Sequence, residues 1–186
     1  MTLLIAGIIV FFAVHLLPST AARGALVTRL GENGYKGLFS LGAFAGLLLI
    51  IFGFRAAEFT PLWAPLPAGR GLAMSLMPIA AILVIASNMP NNLKRFVRHP
   101  MLIGIALWGS LHLAANGDLA STIIFASFLG FSILNIALVE AGGRYKAPEP
   151  VSYLWDLGTV GAGIALFLAL FFLHPHIAGV PIVQMS

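Results

Sequence analysis

The chain has 186 residues, of which 60% are hydrophobic and 9% are charged. An ordinary soluble domain carries roughly 25% charged residues, so this composition excludes that class and predicts an integral membrane protein. The net charge of +4 does not indicate nucleic-acid binding, because the basic residues fall between the apolar runs. The chain has no cysteine, which excludes disulfides, thiolate metal sites and haem attached through a C-x-x-C-H motif.

The apolar runs predict an all-α bundle of about six membrane-spanning helices with no soluble domain. A span needs about 20 mostly apolar residues. In chain order the predicted spans cover residues 2–17 (or on to Ala22), 37–54, 71–87, 100–115, 119–139 and 154–173. Only Asn116-Gly117-Asp118 separates the fourth span from the fifth, which predicts an antiparallel hairpin. We expect residues 1–186 to form a single transmembrane domain.

The basic residues between the spans predict the orientation in the membrane. Lys and Arg are retained on the cytoplasmic side. Eight of the ten lie in three connections on one face: Arg23, Arg29 and Lys36; Lys94, Arg95 and Arg98; Arg144 and Lys146. The other face carries Arg55 and Arg70. This bias predicts a multi-pass inner-membrane protein with both termini in the periplasm.

Several spans carry small residues that allow close helix approach. Gly42 and Gly46 are spaced by four on the second span, and the sixth contains Gly158, Gly161 and Gly163. Small residues of this kind let helix backbones pack closely in membranes. We therefore expect these glycines to serve helix packing and not chemistry.

On the first span, residues with complementary chemistry recur every four positions. The line consists of Phe11, His15, Ser19 and Arg23. Residues at this spacing share one helix face. Phe11 would supply an apolar wall, His15 a nitrogen ligand and Arg23 a cation. These are the requirements of haem b, which has an apolar macrocycle, an iron that takes axial nitrogen and anionic propionates.

A second such line lies on the fourth span. Pro100 suits the first position of this helix, where its missing N–H is not needed, and Trp108, His112 and Asn116 follow on one face. An ionisable residue inside a membrane is by default a candidate functional site. Alternatively, each histidine bonds a serine or a backbone carbonyl of a neighbouring helix. The residues alone favour neither interpretation.

The other ionisable residues near the spans have simpler interpretations. His99 is expected at a helix boundary or against headgroups, and His174 and His176 beyond the last span, facing solvent or headgroups. Arg98, Lys94 and Arg95 follow the positive-inside rule, with a secondary role in holding a propionate or a substrate phosphate. The carboxylates near the spans, Glu58 and Glu140, lie singly at helix ends, which gives no support to a paired-carboxylate mechanism.

The run from Arg98 to Asp118, Arg-His-Pro-Met-Leu-Ile-Gly-Ile-Ala-Leu-Trp-Gly-Ser-Leu-His-Leu-Ala-Ala-Asn-Gly-Asp, resembles the signature segment of the NnrU family. These bacterial membrane proteins are named for an association with nitrite and nitric oxide reduction, that is, with denitrification. They are related to the 15-cis-zeta-carotene isomerases. The resemblance extends to His15, Ser19 and Arg23, and covers roughly Leu3 to Val139.

The resemblance implies a cofactor and a reaction class. The related isomerases hold a non-covalent haem b between two histidines, which match His15 and His112. Their iron is thought to promote rotation about a cis double bond of an apolar polyene without net oxidation. The cofactor-binding set is therefore expected to be His15, His112, Arg23, Trp108 and Arg98, with His15 and His112 on the metal. One departure is that the isomerases have a cysteine where this chain has Gly109.

Three other function classes are alternatives to a haem-binding protein. A weaker similarity, through Arg98-His99-Pro100 and Gly104, is to isoprenylcysteine and phospholipid methyltransferases. Those enzymes add a paired-glutamate region, whereas Glu140 stands alone before Gly142-Gly143-Arg144-Tyr145, so methyl transfer is not expected. A non-enzymatic assembly or accessory factor of a respiratory complex, with structural histidines, is the main alternative. A carrier is disfavoured because charged midspan residues and broken-helix repeats are missing from the sequence.

Overall fold

The computed structural model describes residues 1–141 and 145–182, and most of these are helical. Arg144, which the sequence places in the third basic connection, lies outside the described residues, as do Gly142 and Gly143. The helices are α1 (Thr2–Leu16), α2 (Ala22–Arg55), α3 (Gly69–Asn88), α4 (Pro100–Ala115), α5 (Leu119–Ala141) and α6 (Tyr153–Ala178). Within the described residues, five helices are long and apolar enough to cross a membrane, and α4 is a shorter apolar helix. The predicted all-α membrane fold is confirmed.

The chain divides into two compact units, Met1–Thr60 and the part from Pro61 onward. The first unit is a hairpin of α1 and α2, whose backbones touch at glycines. A Cβ on Gly7 would lie 2.6 Å from the backbone nitrogen of Ile50, and a Cβ on Gly46 would lie 2.8 Å from that of Phe11. Gly42 faces the side chain of Val14. The packing role predicted for Gly42 and Gly46 is confirmed.

The connection between α1 and α2 differs from the prediction. α1 ends at Leu16 and is followed by a 3₁₀ turn, Leu17–Ser19, so its continuation to Ala22 is wrong. Pro18 favours this break because it has no N–H for a helical hydrogen bond. α2 begins at Ala22, well before the predicted Gly37. It bends at Gly31, whose φ of 71° is readily adopted by glycine and is strained for most other residues. Hydropathy missed this first segment because its apolar run is short and interrupted by Arg23 and Arg29.

The second unit contains the α4–α5 hairpin, and the turn predicted at Asn116-Gly117-Asp118 is confirmed. The Asp118 carboxylate accepts a hydrogen bond from the Ser121 backbone N–H at 2.9 Å, which caps α5. The Gly117 carbonyl accepts from the backbone N–H groups of Leu62 and Trp63. The segment before α3 is therefore fastened to this turn.

α6 packs against α3 in the same unit. A Cβ on Gly163 would lie 2.6 Å from the Cα of Ile82, which confirms a packing role for this glycine. Nothing within the described part of the chain lies within 4 Å of a Cβ placed on Gly161, so the structure shows no packing role there. α6 continues to Ala178 and ends at Gly179, whose φ is 78°.

His174 and His176, predicted beyond the last span, therefore lie within α6. The helix continues through Pro175 because a proline is tolerated in a membrane helix where other groups satisfy the freed backbone carbonyl. His174 is half-buried, and its Nδ1 lies 2.7 Å from the Val180 carbonyl oxygen.

Candidate functional site

His15 lies near the C-terminal end of α1, packed between aromatic rings. Its Nδ1 is 2.7 Å from the carbonyl oxygen of Phe11, one helical turn earlier. The imidazole stacks on the Phe11 ring, with centroids 4.1 Å apart and planes at 27°. The ring of Phe39, on α2, approaches it edge-on at 5.2 Å. The predicted neighbourhood of Phe11 and His15 on one helix face is confirmed.

His112 in the second unit repeats this local arrangement. Its Nδ1 is 2.9 Å from the carbonyl oxygen of Trp108, again one turn earlier. The imidazole stacks on the Phe125 ring of α5, with centroids 4.3 Å apart and planes at 25°. The Trp108 ring lies 5.0 Å away, and the Asn116 side chain donates to the His112 carbonyl at 2.8 Å. The predicted neighbourhood of Trp108 and His112 is confirmed, whereas Asn116 lies just beyond the end of α4, with extended backbone, and not on its face.

The hydrogen bond at Nδ1 determines which nitrogen of each histidine has ligand character. A backbone carbonyl only accepts, so in a neutral ring the Nδ1–H donates and the lone pair lies on Nε2. Metal-ligating histidines characteristically donate their other ring N–H to a carbonyl or carboxylate, which fixes the ring and raises its basicity. The Nδ1 partner of each ring is a carbonyl of its own helix.

The structure places Arg23 in the bent connection of the first unit. Its guanidinium lies 3.5 Å from the Glu32 carboxylate and 5.6 Å from the centre of the Tyr35 ring. Glu32 is also 3.9 Å from the ammonium of Lys36. Arg23, predicted as a propionate partner, is thus already paired with a carboxylate of its own unit.

Arg98 and His99 meet at Glu140, close to the end of α5. The Arg98 guanidinium is 3.0 Å from one Glu140 carboxylate oxygen, and the His99 Nε2 is 2.7 Å from the other. Arg98 also lies over the Tyr145 ring, at 5.2 Å. His99 lies at the N-terminal boundary of α4, as expected, and its side chain is only 12% exposed and contacts Glu140. Residues 41 positions apart carry no local signal for this contact.

Arg98 and His112 belong to opposite ends of α4. Arg98 comes just before the first helical residue, Pro100, and His112 lies in the last turn. At about 1.5 Å per residue the two are separated by about 20 Å along the helix axis. Trp108 is the predicted site residue that the structure brings against His112.

A polar network between α3 and α6 was missed by the sequence analysis. The Asn92 side chain donates to the Val151 carbonyl at 2.8 Å and to Asp156 at 2.7 Å, and it accepts from the Val151 backbone N–H. The Asn92 backbone N–H donates to the other Asp156 oxygen at 2.7 Å. The sequence feature that could have predicted this network is the pair Asn91-Asn92 after Pro90. Asparagines at a helix end often bond backbone groups.

A comparison with models of protein families shows to which family the chain belongs. The family model described as NnrU protein matches residues 3–182, which is nearly the whole chain. The chain belongs to the NnrU family. Neither the curated proteins nor the solved structures gave a significant match. The matched range of this NnrU protein includes both histidine sites and the run from Arg98 to Asp118.

The structure explains the one departure of this NnrU protein from the isomerase pattern. A Cβ on Gly109 would lie 2.9 Å from the Phe125 carbonyl oxygen and 3.5 Å from the Leu129 Cβ. Gly109 thus lets α4 approach the α5 segment that carries the ring stacked on His112. A cysteine at this position would separate these helices.

The described part of this NnrU protein contains no cluster of three or more His, Asp or Glu side chains that could hold a metal ion. A site built wholly from protein ligands would need such a cluster. A macrocycle that fills four positions of its own metal needs only one or two histidines.

Proposed function

We propose that this NnrU protein binds haem b non-covalently, with His15 and His112 as iron ligands. The observation that carries the proposal is the shared presentation of the two rings. Each directs Nδ1 at a carbonyl one turn earlier and stacks on a phenylalanine. In a neutral ring, the lone pair that can bind iron is therefore on Nε2 in both units.

The surrounding residues fit an apolar macrocycle. Phe11 and Phe39 flank His15, and Trp108 and Phe125 flank His112. These rings exclude water and hold each imidazole in one orientation. Bound haem would supply a redox-active Lewis-acidic iron within the membrane. Arg98 has no part in this proposal, because it lies at the far end of α4 from His112 and pairs with Glu140.

The resemblance to 15-cis-zeta-carotene isomerases supports a cis–trans isomerisation of an apolar polyene as the reaction. Such a substrate partitions into the bilayer and offers no group for acid–base chemistry. Its isomerisation would therefore not need the paired carboxylates that the sequence gives no support for. A role in nitrite or nitric oxide reduction is the second possibility that the family name supports. The basic connections favour an inner-membrane location with both termini in the periplasm.

The proposal is tested by the absorption spectrum of the detergent-purified protein after expression with haem supplied. We expect a Soret band in the wild-type protein and its loss in both His15→Ala and His112→Ala, because each removes an axial ligand. His176→Ala, an exposed histidine of α6, is the matched control and should retain the band. A colourless wild-type protein that remains folded would contradict haem binding and favour the accessory-factor alternative. Adding tri-cis-zeta-carotene to the coloured protein tests the reaction separately.

A further inference from the structure

A groove of about 360 Å³ opens in the second unit, beside the last turns of α3 and the first turns of α6. Its apolar walls include Ile82, Leu93, Phe96 and Val160. Phe96 is 82% exposed and Val160 is 46% exposed. An apolar groove whose walls are this exposed can receive a hydrocarbon chain from outside the protein.

Two cations lie in the short turn that adjoins the groove-lining residues Leu93 and Phe96. Lys94 and Arg95 fall between the lining residues Leu93 and Phe96, in the 3₁₀ turn Leu93–Arg95. Within the described part of the chain, neither has a carboxylate at ion-pair distance. The third cation of this connection, Arg98, is paired with Glu140. Lys94 and Arg95 therefore present positive charge that the surrounding side chains do not balance.

The turn that carries these cations is held in place from both sides. The Lys94 backbone N–H donates to the Asn91 side chain at 3.1 Å, and its carbonyl accepts from the Tyr145 hydroxyl. The Asp156 carboxylate, which lines the groove, uses both oxygens to accept from Asn92. Both of its oxygens are thus bonded to Asn92, and it forms no ion pair with Lys94 or Arg95. A fixed turn loses little conformational entropy when it binds a ligand.

The floor of the groove contains an unsatisfied polar group. Thr159 is 2% exposed, and its hydroxyl has no hydrogen-bond partner within the described residues. A buried hydroxyl without a partner is unfavourable, so the packing beneath the groove leaves one hydrogen bond unmet.

The groove lies where two apolar helices end, which is where lipid headgroups are expected. It is next to the C-terminal end of α3 and the N-terminal end of α6, both of which are long and apolar enough to cross a membrane. Tyr153 lines the groove and is 82% exposed, and Trp155 follows on α6. Tyr and Trp are enriched where membrane helices meet the headgroups.

We propose that this groove binds an anionic phospholipid, with its phosphate at Lys94 and Arg95 and an acyl chain along Phe96 and Val160. Basic pockets beside membrane helices on the basic side of a protein are suited to anionic headgroups. Lys94 and Arg95 favour a lipid with a negatively charged headgroup, and the apolar walls of the groove contact its acyl chain. This site is independent of the histidines and does not require haem.

The test is native mass spectrometry of the full-length protein in detergent, titrated with phosphatidylglycerol and with phosphatidylcholine of the same acyl chains. We expect one phosphatidylglycerol to bind more tightly than phosphatidylcholine. The double variant Lys94→Gln/Arg95→Gln should weaken that binding about thirtyfold, from about 1 kcal/mol for each charge. Arg29→Gln, which removes an exposed cation of the first unit, should leave it unchanged.

A second variant separates the groove from general attraction of anionic lipid to basic residues. Val160→Phe fills the groove at an exposed position and leaves both cations in place, so we expect it to weaken phosphatidylglycerol binding about tenfold. If Val160→Phe has no effect, the lipid does not occupy the groove and the proposal is wrong. Equal binding of the two lipids, or an equal loss in Arg29→Gln, would also overturn it.

Discussion

Gly53→Ala is expected to lower the free energy of unfolding by about 3 kcal/mol, because it separates α1 from α2. The added Cβ would lie 2.4 Å from the Leu4 backbone nitrogen and 2.6 Å from the Leu4 Cα. These are backbone atoms of a fully buried residue, so no side-chain rotation can relieve the overlap. The measurement is denaturant-induced unfolding in micelles, followed by circular dichroism.

Gly37→Ala is the matched control on the same helix. A Cβ there meets nothing within 4 Å in the described structure, so the variant should gain up to about 1 kcal/mol from the higher helix propensity of alanine. The difference between the two variants isolates backbone contact from propensity. If Gly53→Ala is as stable as Gly37→Ala, the close α1–α2 packing is wrong.

Gly109→Cys is expected to destabilise the second unit by about 2 kcal/mol and to disturb His112. The Cβ would meet the Phe125 carbonyl oxygen at 2.9 Å, and the sulfur needs further space beside Leu129. Because Phe125 carries the ring stacked on His112, moving α5 away breaks that stack. The variant therefore should not acquire the redox-linked ligand exchange associated with the cysteine of the isomerases. Unfolding and the haem absorption band measure the two effects.

Gly130→Cys controls for the presence of a thiol. This α5 glycine has nothing within 4 Å of its Cβ among the described residues, so we expect unchanged stability and an unchanged haem spectrum. A Gly109→Cys protein as stable as Gly130→Cys, with a redox-dependent change at the haem iron, would show that the position tolerates the cysteine and that our packing argument fails.

Much of the fold follows from local features of the sequence. Apolar length located a part of each of the six helices, although not the start of α2 or the end of α6. Asn116-Gly117-Asp118 was sufficient for the hairpin, because so short a connection makes two helices antiparallel neighbours. The spacing of four placed Phe11 beside His15 and Trp108 beside His112. These contacts lie within one helix, where geometry depends only on sequence separation.

Contacts between distant segments could not be predicted in this way. The Phe125 ring stacks on His112 and the Glu140 carboxylate meets His99 only because α4 and α5 pack in one particular register. Single residues also changed the boundaries of helices. α2 bends at Gly31, within a segment too polar to be predicted as a membrane span. α6 contains Pro175, although a proline often ends a helix.

The most direct test of haem ligation by two histidines is the electron paramagnetic resonance spectrum of the oxidised, haem-loaded protein. Two imidazole ligands give low-spin ferric iron, whereas one or none leaves it high-spin. We predict a low-spin signal in the wild-type protein and a high-spin signal from any haem retained by His15→Ala or His112→Ala. A wild-type spectrum that is wholly high-spin, or that stays low-spin in both variants, would contradict the assignment of His15 and His112 to one iron.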